Sequence, residues 1–72
     1  MLDTLTYDMN LKKVKLARVE KDLTQIQLGE LVGVTRQTIG LIESGKYNPT
    51  LKLCIDICKS LDKTLDDLFW DE

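Results

Sequence analysis

Seventy-two residues allow one domain around one small core, and an apolar share of 43% with a charged share of 31% excludes a disordered polyelectrolyte. The 12 acidic and 10 basic residues give a net charge of −2, so the chain carries no overall basic signature. The distribution is uneven: Asn10 to Lys46 holds seven basic and four acidic residues, and Tyr47 to Glu72 holds three basic and six acidic. A basic front with an acidic back fits a chain that meets nucleic acid on one side only.

Residues 1–10 show no clear period and are read as an N-terminal arm or a short strand. They have neither a basic n-region nor an apolar h-region, so no signal peptide is expected and the chain is assigned to the cytoplasm. No apolar run approaches the ~20 residues of a membrane span, so no membrane partner is expected.

Lys12 to Lys21 reads as a first helix, rich in good helix formers and free of breakers. Asp22 and Leu23 end it. Leu16 and Val19 fall opposite Val14 and Arg18, as core, arm-covered or partner-facing residues.

Thr24 is an N-cap, and Gln27 three residues later completes a capping box for a second helix, Gln25 to Val32. Leu28, Leu31 and Val32 are expected on its buried side. Gly33 supplies the left-handed stop. Thr35 caps a third helix, Arg36 to Glu43, closed by Ser44 and Gly45.

After the loop Lys46 to Thr50, Thr50 caps a fourth helix, Leu51 to Leu61, whose apolar stripe is Leu51, Cys54, Ile55, Ile57, Cys58 and Leu61. Cys54 and Cys58 lie four apart on one face, a poor geometry for a bridge within a helix. They are read as small buried hydrophobes. The chain has no histidine to complete a zinc site, so no metal and no cofactor is expected. Thr64 caps a short fifth helix with Asp66 and Asp67 in its first turn, where the helix dipole favours acids. Leu65, Leu68 and Phe69 are expected to face inward. Trp70 either caps the core or joins a dimer seam; with Leu65 and Phe69 it marks the expected dimer surface, since aromatic residues are enriched in interfaces. The fold class is all-α, a compact bundle of four to five helices. Its expected limits are 11–70, with 71–72 as an acidic C-terminal end.

The informative stretch is Gln25 to Ser44, QIQLGELVGVTRQTIGLIES. It is two short helices joined by a tight turn. Gly29 sits inside the first of them, where glycine costs about 1 kcal/mol against alanine. A close crossing by the next helix would offset that cost. On a wheel at about 100° per residue, with Arg36 at zero, Gln37, Gly40, Leu41 and Ser44 spread over about 40° to 140°. Ile39 and Ile42 fall on the other side. The exposed face therefore opens with a guanidinium and a primary amide, groups that pair bidentately with guanine and adenine respectively. With no histidine, Gly-rich phosphate loop or carboxylate cluster, the chain is not expected to be an enzyme.

The region from about Leu11 to Phe69 resembles the phage repressor and Cro family, the Xre family of bacterial and phage regulators. The resemblance is carried by TRQTIGLIESGKYNPT and the closing LDDLFW. It implies a lambda-repressor-like fold and a sequence-specific transcriptional regulator. The regulator would be a repressor, binding double-stranded DNA as a homodimer on a near-palindromic operator. It implies that Gln25 grips a phosphate and supports a base-reading side chain. Thr35, Arg36, Gln37, Gly40 and Leu41 match the DNA-facing positions. Lys46, Tyr47 and Asn48 match the loop along the phosphate backbone, and Arg18 with Glu43 matches a structural pair. Gly40 and Leu41 depart from the polar side chains of many relatives: Gly40 would let the backbone approach the duplex, and Leu41 would touch a thymine methyl. No small-molecule ligand is expected. The competing reading is an antitoxin or protein-interaction subunit built on the same fold.

Overall fold

The computed structural model describes residues 12–70. The expectations for the arm and for the acidic end lie outside the described residues. Five helices, and no strand, occur among the described residues. They are α1 (described from 12 to 20), α2 (Gln25–Val32), α3 (Arg36–Glu43), α4 (Leu51–Leu61) and α5 (Leu65–Phe69). The all-α class and the helix order agree with the sequence reading.

Helices α2 to α5 all start in the same way. Thr24, Thr35, Thr50 and Thr64 have extended backbone, and each hydroxyl accepts from the backbone N–H three residues on. This satisfies one donor that a helix leaves open at its start, worth about 1 kcal/mol per cap. Thr24 and Gln27 complete their capping box. Thr64 and Asp67 form a second one, so Asp67 does more than meet the helix dipole. Three of the helices end on left-handed residues. Gly33 stops α2 at φ 81°, while Asp22 and Asp62, at φ 57° and 59°, stop α1 and α4.

Val14, Leu28, Ile39, Ile42, Ile57, Leu61 and Leu68 form the fully buried centre. Burial of each such side chain contributes roughly 1.5–3 kcal/mol. Val32, Val34, Leu23 and Phe69 pack around it. Helix α2 lies on α3 and α4, and α5 closes on α4.

Three apolar expectations are corrected. Leu31 is 59% exposed. The buried residues of α2 are Leu28 and Gly29, so the packed arc is turned toward Gly29. At about 100° per residue that turns Leu31 out of the arc. Leu51 is 67% exposed, while Leu53, absent from the expected stripe of α4, is buried. The arc buried on α4 runs through Leu53, Cys54, Ile57, Cys58 and Leu61, and Leu51 stands off its edge at the first turn. Leu65 is exposed, since α5 buries only Leu68. Cys54 and Cys58 are buried free thiols. Leu16 and Val19 are exposed, so neither belongs to the core of the described residues.

Candidate nucleic-acid interface

The angle at which α3 is presented is set by one glycine. A Cβ on Gly29 would stand 2.6 Å from the Val34 carbonyl oxygen and 3.2 Å from the Thr35 carbonyl carbon. Only a hydrogen fits there, so the turn before α3 lies directly on the backbone of α2. The Val34 N–H donates to the Gly29 carbonyl at 2.9 Å and locks this approach. Thr35 then caps α3, and its hydroxyl also bonds the Thr38 hydroxyl at 3.1 Å.

Helix α3 is two-faced. Ile39 and Ile42 are each 1% exposed. Thr35, Arg36, Gln37 and Ser44 are exposed, and Gly40 and Leu41 are half-buried. The Ser44 hydroxyl is turned back, donating to the Leu41 carbonyl at 3.2 Å. Lys46, Tyr47 and Asn48 are exposed in the loop that follows. Leu65 and Trp70 are exposed at the other end of the chain. Phe69 is half-buried against the core, and the Trp70 carbonyl accepts from Lys13 Nζ at 3.4 Å.

A polar chain runs beneath the exposed face. Arg18 is the one buried charged residue among those described, at 8% exposure. Its Nε donates to Glu43 Oε2 at 2.7 Å, its NH2 group to Glu43 Oε1 at 3.2 Å, and its NH1 group to the Leu23 carbonyl at 2.7 Å. The fork satisfies both carboxylate oxygens, the geometry that makes an arginine–carboxylate pair strong. Glu43 Oε1 also accepts from Gln25 Nε2 at 3.1 Å, and Gln25 Oε1 accepts from Arg36 NH1 at 3.4 Å. Four side chains from α1, α2 and α3 are thus joined, from the core to the exposed guanidinium.

Gly40 also lies beside this chain of contacts. A Cβ there would stand 3.6 Å from Gln25 Nε2 and 3.9 Å from its Oε1. An added methyl would meet the Gln25 amide at ordinary van der Waals distance, so the amide lies directly beside Gly40. Sequence reading did not connect Gln25 to Glu43. A signal existed: Arg36, Gly40 and Glu43 are spaced i, i+4, i+7 and so share one stripe of the helix.

Among the described residues no group of His, Cys, Asp or Glu could hold a metal ion. No helix among them is long and apolar enough to cross a membrane.

Two short helices crossing at a glycine, the second with one face in the core and one open, define a helix-turn-helix domain. A helix-turn-helix family model matches residues 14–68, and the chain belongs to this family, in its Cro/C1 (Xre) type. The chain is 48% identical over 60 residues to the uncharacterized HTH-type transcriptional regulator YgzD of Bacillus subtilis, covering 83% of this chain and 91% of that protein. It is 46% identical over 57 residues to the uncharacterized HTH-type transcriptional regulator MJ0272 of Methanocaldococcus jannaschii, covering 79% of this chain and 86% of the relative. A similar regulator of Archaeoglobus fulgidus is 40% identical over 57 residues, with 79% and 80% covered.

Proposed function

We propose that the chain is a transcriptional repressor that binds a near-palindromic operator as a homodimer, with α3 in the major groove. The observation that carries this reading is the division of α3: Arg36 and Gln37 are exposed at its N-terminal end while Ile39 and Ile42 are sealed in the core. The N-terminal end of a recognition helix is the end that meets base edges, and these two side chains form bidentate pairs with guanine and adenine. Leu41 adds an apolar contact for a thymine methyl. Gln25, Thr35, Ser44, Lys46, Tyr47 and Asn48 lie along the phosphates. Neither α2 nor α3 has an acidic residue in its first turn, so the positive end of each helix dipole is left for a phosphate.

A symmetric dimer would set two copies of α3 about 34 Å apart, one turn of duplex. Leu65, Phe69 and Trp70 are the residues assigned to its seam. The protein would act in the cytoplasm without a small-molecule ligand.

Selection from a library of randomised duplexes by the full chain tests this function. The expected product is an inverted repeat whose half-sites lie about 10–10.5 bp apart, bound with affinity that falls steeply as salt rises. Equal affinity for the selected duplex and a scrambled one would remove the reading.

A further inference from the structure

The chain of polar contacts behind α3 has a direction, and the direction bears on which base Arg36 accepts. The inference rests on the DNA-binding reading above. The Glu43 side chain is 5% exposed and holds Arg18 through both oxygens. A carboxylate in such a pair only accepts hydrogen bonds. The amide of Gln25 can therefore meet it only with the NH2 end, at 3.1 Å. The amide oxygen is then left on the outer side, where it faces Arg36 NH1 at 3.4 Å. The amide crosses α3 beside Gly40, within 3.6 Å of where a Cβ would stand, an ordinary contact distance.

With the amide reversed, an NH2 group would face the guanidinium, and two donors would oppose each other. Arg36 would turn away. In the observed direction one N–H of Arg36 is held, and the rest of its five donors remain for a guanine edge.

We propose that Glu43 is a positioning residue for base selection: it fixes the polarity of the Gln25 amide, whose oxygen in turn aims the Arg36 guanidinium into the groove. Glu43 touches no DNA in this arrangement. Gln25 is the intermediate between Glu43 and Arg36.

The test compares base preferences of the full chain and of Arg36→Ala, Gln25→Met and Glu43→Gln on a library of randomised duplexes. Arg36→Ala identifies the base pair that Arg36 reads. Gln25→Met keeps the length of the side chain, removes both of its hydrogen bonds and leaves the Arg18–Glu43 pair intact. It therefore reports even if Glu43→Gln fails to fold. Gln25→Met and Glu43→Gln are expected to lower the preference at that one pair about tenfold and to leave the preferences at the other positions unchanged, while Gln25→Met, which also loses a phosphate contact, weakens every duplex, the scrambled one included, by a common factor. A purely structural role would lower the preference at every position alike. An unchanged preference at the Arg36 pair in folded Gln25→Met overturns the proposal, as does an equal loss of preference at every position. A wild-type chain that selects no sequence overturns the DNA-binding reading itself.

Discussion

The Val34 carbonyl oxygen lies 2.6 Å from the point where a side chain on Gly29 would begin. Backbone meets backbone at this crossing, so no side-chain rotation can relieve an added methyl. Gly29→Ala gains helix propensity but must push α2 and the turn apart. A net loss of about 1–3 kcal/mol is expected. In a chain of this size that is about 4–8 °C of Tm per kcal/mol, read by thermal unfolding. Gly33→Ala is the control. It meets nothing within 4 Å but holds φ +81°, so its loss of about 1–2 kcal/mol comes from backbone strain alone. The two variants should separate in DNA binding: Gly29→Ala tilts α3, and Gly33→Ala leaves it in place once folded.

Removing one partner of the Arg18–Glu43 pair leaves a charge with 8% residue exposure beside an empty acceptor site. Glu43→Ala is expected to lose about 3–5 kcal/mol, a large part of the stability of so small a domain. Replacing both members by apolar residues, as in Arg18→Met with Glu43→Leu, should recover much of that loss. Denaturant unfolding of the single and double variants checks this; a double variant less stable than the single one would contradict it.

The capping box of α5 is pH-sensitive. The Asp67 carboxyl is held below its ordinary range, first by the Thr64 backbone N–H and then by the Thr64 hydroxyl. A lowered folded pKa means that this stabilisation is present above the ordinary Asp value and is lost as pH falls through the folded one. Wild type should therefore be more stable than Asp67→Ala at neutral pH, and the gap should narrow in acid. A gap that stays constant down to the acid limit of folding would argue against the box.

The two thiols titrate the other way. Burial raises both, and Cys58 is pushed up to about 11, with Cys54 and Asp67 adding to it. Both thiols thus stay neutral in the folded chain near pH 8, and the stabilisation that this brings fades only as pH rises toward the folded value. Alkylation by iodoacetamide at pH 8 should follow global unfolding, read by mass spectrometry across a denaturant series. Fast labelling of the native chain would show that α4 opens locally.

Much of this structure was legible in the sequence because its punctuation is local. Four threonine caps and the left-handed Gly33 fix helix limits without reference to the rest of the fold. Gly29 was legible as a point of close approach because a mid-helix glycine needs a compensating gain. Leu31, Leu51 and Leu53 were misassigned because periodicity names an apolar face, while the neighbours that pack on it set its centre. The tie between Gln25 and Glu43 is tertiary: it joins residues 18 positions apart. Only the spacing of Arg36, Gly40 and Glu43 hinted at it.

The central claim is that the outer edge of α3 reads bases, and Gln37 tests it most directly, since it is exposed and no contact among the described residues depends on it being a base reader. Affinity of wild type and Gln37→Ala should be measured by fluorescence anisotropy on the selected duplex, on single-pair variants of it and on a scrambled duplex, at fixed salt. The expected result is a loss of about 1–3 kcal/mol on the selected duplex, relaxed preference at one base pair, and no change on the scrambled one. Equal losses on both duplexes, or none on either, would contradict it.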